Sequence, residues 1–360
     1  MASESVSSQA MMGGDGQYSY ARNSEFQSHG VETAKAIING VISDKLDLNR
    51  VASSSSKVFS IADLGCSVGP NTFNAVQNII DSVKLKCQSY GHDKLEFQVF
   101  FNDLVSNDFN ALYKSLPSDR QYYAAGVPGS FHNRLFPKAS INFFHCSYGL
   151  QWLSSTPKEL NDQNSPAYNK GRIYYSRGPN EVVEAYSAES AKGIESFLLA
   201  RAQELASGGL MALIVPCLPD GISPGECSVL ASADLLGDCL MDMAKMGLLS
   251  EAQVDSFNLP SYFPTPQELK ALLKRNASFS IEKFEPLALS AQRQLATNTP
   301  TVVSHLRANL EMLVKEHFGN GIIEDLFDRF SKKIDESSVY SQTSVYKPLV
   351  ENVIILKHNT

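Results

Sequence analysis

Residues 61–72 read I-A-D-L-G-C-S-V-G-P-N-T. A short apolar run carries Asp63, the chain turns on Gly65 and Gly69, and Asn71 leads into a helix-like stretch from Phe73 to Val83. This order suits a buried parallel strand, a glycine turn that lets backbone approach a ligand, and a helix N-terminus with free N–H donors. Further on, a second strand-like run, Phe97 to Phe101, also leads to an acid, Asp103, where a nucleotide-type ribose would present its hydroxyls. The pair points to a nucleoside cofactor, although the spacing alone equally fits an ordinary α/β turn. Gly65 and Gly69 are separated by Cys66, Ser67 and Val68, so the G-x-G-x-x-G pattern of nicotinamide enzymes is missing. Nor is there a G-x-S-x-G elbow or an ordered Ser, His and acid set, so nothing demands covalent catalysis by the protein.

The elements that must hold these residues are α/β in rhythm. Candidate strands are Val58 to Ala62, Phe97 to Phe101, Ile141 to His145 and Leu210 to Val215. The last follows a long helical pattern, Glu181 to Ala206, that Gly208-Gly209 is expected to stop. Strand, helix, strand implies a parallel sheet covered on both faces. After Pro216 the rhythm breaks into helix-like stretches at Val229 to Gly247, Thr265 to Lys274, Val302 to Phe318 and Ile322 to Asp335, and a final apolar run, Val353 to Leu356, returns to the sheet. The expected division is a Rossmann-like domain from residues 1–215 and 350–360 and a largely helical cap, 216–349, over its ligand edge. Ser53 to Ser56 and Ser290 to Pro300 read as exposed loops.

The 360 residues are 43% hydrophobic with a formal charge of −7 and no long block of one sign. Neither nucleic acid nor an anionic membrane is therefore the expected partner, and a small molecule is. No apolar run reaches the ~18 residues of a membrane span and the first fifteen residues lack a signal core, so a cytoplasmic location is expected. The six cysteines form no C-x-x-C pair and read as buried free thiols. The seven histidines, among them His29, His132 and His145, lack metal-ligand spacing and read as structural or surface residues.

Six segments in one order carry a resemblance. They are Met12 to Ser24 (M-G-G-D-G-Q-Y-S-Y-A-R-N-S), the Asp63 loop, Phe100 to Asn110, Gly126 to Phe131, Ser147 to Ser154 (S-Y-G-L-Q-W-L-S) and Asp255 to Tyr262. Over nearly the whole chain this series resembles the plant SABATH methyltransferases, which use S-adenosyl-L-methionine to methylate small carboxylic acids or xanthine nitrogens. The resemblance implies a class I methyltransferase sheet with a mostly helical cap, an N-terminal segment (11–30) closing the active site, and a homodimer. It places Tyr20, Ser24, Asp63, Gly65, Cys66, Asn71, Asp103, Leu104, Ser130, Phe131 and Ser147 around the cofactor.

In carboxyl-methylating members a glutamine and a tryptophan hold the substrate carboxylate, matching Gln27 and the single tryptophan, Trp152. Amide and indole N–H groups can donate to a carboxylate without the full charge that would pin it in the ground state. Tyr148, Gln151, Val215, Ala233, Tyr262, Leu306, Asn309 and Val350 are the further candidates for the acceptor wall. Met12 stands where several salicylate-type members have lysine, and Ala233 where some have a second tryptophan. A roomier pocket follows, better suited to a terpenoid, iridoid or oxylipin acid than to a flat benzoate. The runs His145 to Ser154 and Ala167 to Tyr174 are similar to those of iridoid-acid methylating members. An N-methyltransferase acting on a xanthine or nicotinate ring is the alternative, and retention of Gln27 argues against it. The resemblance also implies a Mg2+ site in the cap made by Asn169, Asp255, the Phe257 carbonyl and Asn258, organising structure rather than chemistry.

Overall fold

The computed structural model describes residues 10–48, 51, 57–91, 95–288 and 298–359. Within these the chain builds one seven-stranded sheet in the order β3-β2-β1-β4-β5-β7-β6. The strands are β1 (Val58–Leu64), β2 (Glu96–Asp103), β3 (Tyr123–Pro128), β4 (Ile141–Ser147), β5 (Leu205–Cys217), β6 (Phe279–Pro286) and β7 (Val350–His358). The first five run parallel, while β7 pairs antiparallel with both β5 and β6. The sheet is therefore mixed rather than wholly parallel.

Alternation explains its two covered faces. Phe59 and Ile61 of β1 point into one buried cluster with Val76, Ile79 and Ile80 of the helix Pro70–Ser89 and Ala34 and Ile38 of the helix Glu25–Lys45. Ala62 and Leu64 point the other way, towards Ile194 and Phe197 of the helix Asn180–Glu204. The chain order reverses direction between β1 and β4, which leaves a crevice at their carboxyl ends. Open α/β sheets bind ligands at such a place.

The cap packs around its own core. Helix Ile323–Glu336 buries Ile323, Leu326, Phe327, Phe330 and Ile334, a single apolar stripe at helical spacing, against the helices Ser228–Lys245 and Thr299–Phe318. The same cluster draws in Leu153, Leu160, Tyr174 and Tyr175, so the cap takes a segment from before residue 216. Conversely β6 joins the sheet, and Leu269, Leu272 and Leu273 of the helix Pro266–Arg275 pack under it. The stretch 216–349, expected as a largely helical cap, thus also supplies β6 and the helix Pro266–Arg275 to the sheet side.

Two sequence expectations fail locally. The helix ends at Glu204 rather than at Gly208-Gly209, and both glycines lie inside β5. Gly208 has φ +73°, and the β4–β5 register shifts between Ile141 and Phe143, so the glycines mark an irregularity in a strand rather than a helix stop. Strands β3 and β6 were not expected. They are the two sheet edges and are largely half-exposed; β3 is built of small residues ending in proline, and charged residues interrupt β6. The loop Ser53 to Ser56 lies outside the described residues, as does most of Ser290 to Pro300, whose last two residues open the helix Thr299–Phe318. All six cysteines are free and buried.

Candidate active site

The cofactor end begins where β1 stops. Gly65 turns at φ +75° and Gly69 at φ +119°, conformations that favour glycine, with Ser67 between them at φ +50°. The loop is held by the end of β2. The N–H groups of Gly65 and Cys66 both donate to the Asn102 carbonyl at 2.9 Å, and the Ser67 N–H donates to Asp103 Oδ2 at 2.7 Å. Asp103 Oδ1 accepts from the Leu104 N–H at 2.7 Å. A carboxylate has about four acceptor positions, so two backbone donors leave capacity for two ribose hydroxyls. Loss of solvation pushes the Asp103 carboxyl up to about 6, against the pull of these two N–H groups.

Phe131 forms the opposite wall. A side chain at Gly149 would meet its ring at 3.4 Å, so the ring lies close against backbone there. Its carbonyl accepts from Arg201 Nη1 at 2.7 Å, and the ring packs edge-on against Phe197 with 5.9 Å between centroids. A glycine loop, an acid with spare acceptor capacity and an aromatic face together fit a purine nucleoside, and this chain's residues match the cofactor that the sequence implied.

A single cavity of about 880 Å³ runs from this end under the cap. Tyr20, Gly65, Asp103, Leu104, Ser130, Phe131 and Ser147 stand on its wall, as do Gln27, Tyr148, Gln151, Trp152, Ala233, Leu306, Asn309 and Val350. Gln27 comes from the helix Glu25–Lys45. Trp152 comes from the turn after β4, which is fastened to the cap: the Leu153 N–H donates to the Pro260 carbonyl at 2.8 Å and the Tyr262 N–H to the Gln151 carbonyl at 2.8 Å. Tyr148 is held at φ +55°, its N–H donating to the Ile214 carbonyl of β5 at 2.9 Å, while its own carbonyl accepts from Gln151 Nε2 at 2.7 Å.

Four residues expected at the cofactor stand behind the wall instead. Asp63 accepts from the Thr72 hydroxyl and holds His145 Nδ1 at 2.6 Å, tying β1, β4 and the helix Pro70–Ser89 together. Asn71 Nδ2 donates to Ser24 Oγ at 3.0 Å, and the Cys66 thiol is buried and directed to the Ser67 carbonyl. Tyr262 and Val215 are likewise corrected as acceptor-wall residues. The Tyr262 ring packs on Tyr175 and its hydroxyl turns to Glu268, beside a separate cleft, while Val215 is buried in the sheet opposite Asn352.

Three of the expected cation ligands carry hydrogen bonds of their own. Asp255 accepts from the Tyr168 hydroxyl at 3.0 Å and the Gly171 N–H at 2.7 Å, and Asn169 Nδ2 donates to Asn258 Oδ1 at 2.8 Å. The Phe257 ring is buried against His317 and Phe318, and among the side-chain atoms of the set Asn169 Oδ1 is left without a partner. Among the described residues no cluster of three His, Cys, Asp or Glu side chains could hold a metal. With one carboxylate among otherwise neutral oxygens, this donor set offers a divalent cation little charge.

Several wall residues had no signal in the sequence reading. His305 shares a helix face with Val302, Leu306 and Asn309, a spacing that could have revealed it. Its ring packs on Phe26 at 4.7 Å, and its Nδ1 lies 3.0 Å from the Asn23 carbonyl. Burial lowers its basicity. His132 also reaches the cavity, its nitrogens facing the Gly193 and Trp152 carbonyls at 3.0 and 3.3 Å, and burial again disfavours its charged form.

An open sheet in this strand order, with an acid at the end of β2 and a glycine loop at the end of β1, defines a class I S-adenosylmethionine-dependent methyltransferase. The chain belongs to the SAM dependent carboxyl methyltransferase family, whose model matches residues 6–359. It is 45% identical over 340 residues to loganic acid O-methyltransferase of Catharanthus roseus, covering 92% of this chain and 90% of that one. It is 39% identical to farnesoic acid carboxyl-O-methyltransferase of Arabidopsis thaliana, over 97% and 98% of the two chains. A solved structure of loganic acid methyltransferase with SAH superposes with a TM-score of 0.92 at 43% identity, covering 97% of this chain and 99% of that one. Xanthine-type N-methyltransferases match at 35 to 36%.

Proposed function

We propose that this enzyme esterifies a small terpenoid or iridoid acid, with Gln27 and Trp152 as the carboxylate clamp. The observation that carries the reading is that these two residues, far apart in sequence, wall one cavity with Asp103. When bound, S-adenosyl-L-methionine supplies an electrophilic methyl group on a sulfonium sulfur. Gly65, Asp103, Leu104, Ser130 and Phe131 hold the nucleoside part. The Gln27 amide and Trp152 indole donate to the acid and aim one oxygen along the line of transfer, an orientation worth roughly 7 to 11 kcal/mol in favourable model reactions. No general base is required, since a carboxylic acid with a pKa near 4 is already ionised at neutral pH. The cap and the N-terminal segment exclude water, which removes hydration from the nucleophile. The side chain lost at Ala233 leaves space for a substituted ring system, and the likeness to the loganic acid enzyme favours an iridoid acid.

Incubation with a radiolabelled methyl donor and loganic, farnesoic, jasmonic, salicylic and benzoic acids, with xanthosine and nicotinate alongside, tests this. The expected product is labelled, loses its label to mild alkali as an ester does, and forms best with the iridoid or terpenoid acids. Label retained through alkali on a ring nitrogen would favour the N-methylation alternative. By family resemblance the enzyme works as a homodimer in the cytosol, and light scattering at twice the 39.4 kDa chain mass is the corresponding check. Among the described residues no helix is long and apolar enough to cross a membrane.

A further inference from the structure

One helix of the cap sets a single amide among aliphatic neighbours on the acceptor wall. Val302, Leu306, Asn309 and Leu310 of the helix Thr299–Phe318 all stand on the cavity, one turn apart on the same face, and His305 stands with them. His305 fixes which way the Asn309 amide points. Asn309 Nδ2 donates to the His305 carbonyl at 2.8 Å and lies 3.2 Å from His305 Nε2, so its nitrogen end meets both. An amide N–H facing Nε2 requires that nitrogen to accept, which leaves the ring proton on Nδ1, where the Asn23 carbonyl accepts it at 3.0 Å. Both amide hydrogens of Asn309 are thereby used. Its Oδ1 has no partner among the described residues, on a side chain that is half-buried at the cavity. The His305 ring in turn packs on Phe26, with 4.7 Å between centroids, next to the clamp residue Gln27.

We infer, resting on the carboxyl-methylation reading and deepening it, that Asn309 is a specificity-determining residue: its oxygen, presented by His305, accepts a hydrogen bond from a hydroxyl of the acid, so the enzyme favours hydroxylated carboxylic acids over their hydrocarbon counterparts. The nitrogen is held back on the backbone of its own helix, so oxygen is the end the amide offers to a ligand. A hydroxyl group can donate to it, whereas an ionised carboxylate carries acceptors only and gains nothing there. Asn309 therefore also opposes reversed binding, with the acid end away from the donors of Gln27 and Trp152. Val302 and Leu306 beside it give the hydrocarbon skeleton an apolar bed. An acid without a hydroxyl covers the Asn309 oxygen and replaces none of its hydrogen bonds to water, while a hydroxylated acid replaces one. His305 is a positioning residue, acting through the amide it orients.

The test uses matched acids, geranic with 8-hydroxygeranic and cyclohexanecarboxylic with its 3- and 4-hydroxy relatives. For each, kcat and KM are measured, together with calorimetric binding of the acid to the enzyme saturated with S-adenosylhomocysteine. Wild type should favour the hydroxylated member of at least one pair by about fivefold to tenfold in kcat/KM, the scale of one well-made neutral hydrogen bond. Asn309→Leu, which keeps the size and removes the acceptor, should bring that ratio to about one, improving the hydrocarbon acid and weakening the hydroxylated one. His305→Phe keeps a ring on Phe26 but frees the Asn309 amide, and should lower the ratio about threefold through KM with kcat little changed. It also serves if the leucine variant does not fold. A purely structural role for either residue would move both members of a pair together and leave the ratio where it was. No hydroxyl preference in wild type, as when a bound water serves the Asn309 oxygen whichever acid is present, overturns the inference, and so does an undiminished preference in a folded variant. An enzyme that esterifies no acid at all sinks the underlying reading, whereas one that esterifies acids with a ratio indifferent to residue 309 sinks this inference alone.

Discussion

Asp103 shows how one residue trades stability for binding. Loss of solvation holds its half-buried carboxyl up at about 6. The ionised form is the one that can accept two hydroxyls and face a cationic ligand. Cofactor affinity should therefore be flat above about pH 6.5 and fall roughly tenfold per unit below 6, as calorimetry at pH 5 and 7.5 would show. A flat profile over that range removes the carboxylate from the site. Because the pKa is raised relative to an unfolded carboxyl, its contribution to the stability of the ligand-free fold is full below about 4 and lost as pH rises through 6. Asp103→Asn turns one of the two oxygens that hold the Ser67 and Leu104 N–H groups into a donor, and should bind cofactor more weakly by about 1 to 3 kcal/mol. Trp152→Ala belongs to the other half of the cavity, and should lose most turnover while cofactor affinity stays within about twofold, because it removes one donor to the acid and none to the nucleoside. Equal loss of both would place Trp152 in the cofactor site.

At the scale of elements, two devices hold the cavity walls. The first is the buried ion pair of Arg201 and Glu204, fully enclosed, which fastens the loop carrying Phe131. Arg201 donates to the Phe131 and Asn133 carbonyls at 2.7 and 2.9 Å, and Glu204 Oε1 accepts from the Phe136 N–H at 2.9 Å. Breaking such a pair from one side leaves a buried charge, at a cost of about 3 to 5 kcal/mol. Arg201→Met should lower the denaturation midpoint by that measure and weaken cofactor binding, and a variant as stable as wild type would refute the assignment. The second device is the strap of residues 10–24. It is tied to the helix Thr299–Phe318 by the Met12 N–H on the Ala308 carbonyl at 3.1 Å, by Arg307 stacked 3.7 Å over Tyr18, and by His305 on the Asn23 carbonyl. Replacing His305 with Phe keeps the packing on Phe26 and removes one tie. Limited proteolysis should then cut within 10–24 faster, and an unchanged cleavage rate would argue that the other contacts suffice.

Over the whole molecule, the sheet, with a core on each face, and the cap with its own core meet across the ligand cavity. Ligand that contacts both sides binds only the folded chain, so it stabilises the whole by mass action, about 2.7 kcal/mol at a hundredfold excess over Kd. S-adenosylhomocysteine at that excess should raise the melting temperature of the entire transition. A shift confined to part of a biphasic melt would mean that cap and sheet unfold separately.

The sequence determined the parts that are local. A buried parallel strand needs an unbroken apolar run, so β1, β2, β4 and β5 were readable, and the glycine loop and Asp103 lie at strand ends where position follows from the strand itself. Gln27 and Trp152 became legible only through ordered motifs, because nothing in their neighbourhoods says that they share a wall. What tertiary structure alone decided is which way side chains face once distant segments meet. Tyr262, one residue from the bridge that joins Ser261 to Trp152, turns to Glu268 and leaves the cavity. Glu351, in a run that reads only as strand, enters it because Gly30 and Tyr148 converge there. Strands β3 and β6 escaped notice for a related reason: as half-exposed edges they bury less, so β3 uses small side chains with Gly and Pro and β6 carries Glu and Lys, and neither shows a core-strand pattern. Hydrogen bonding and burial within an element leave a period in the sequence, whereas a cavity is made by surfaces that meet across several elements and leaves none.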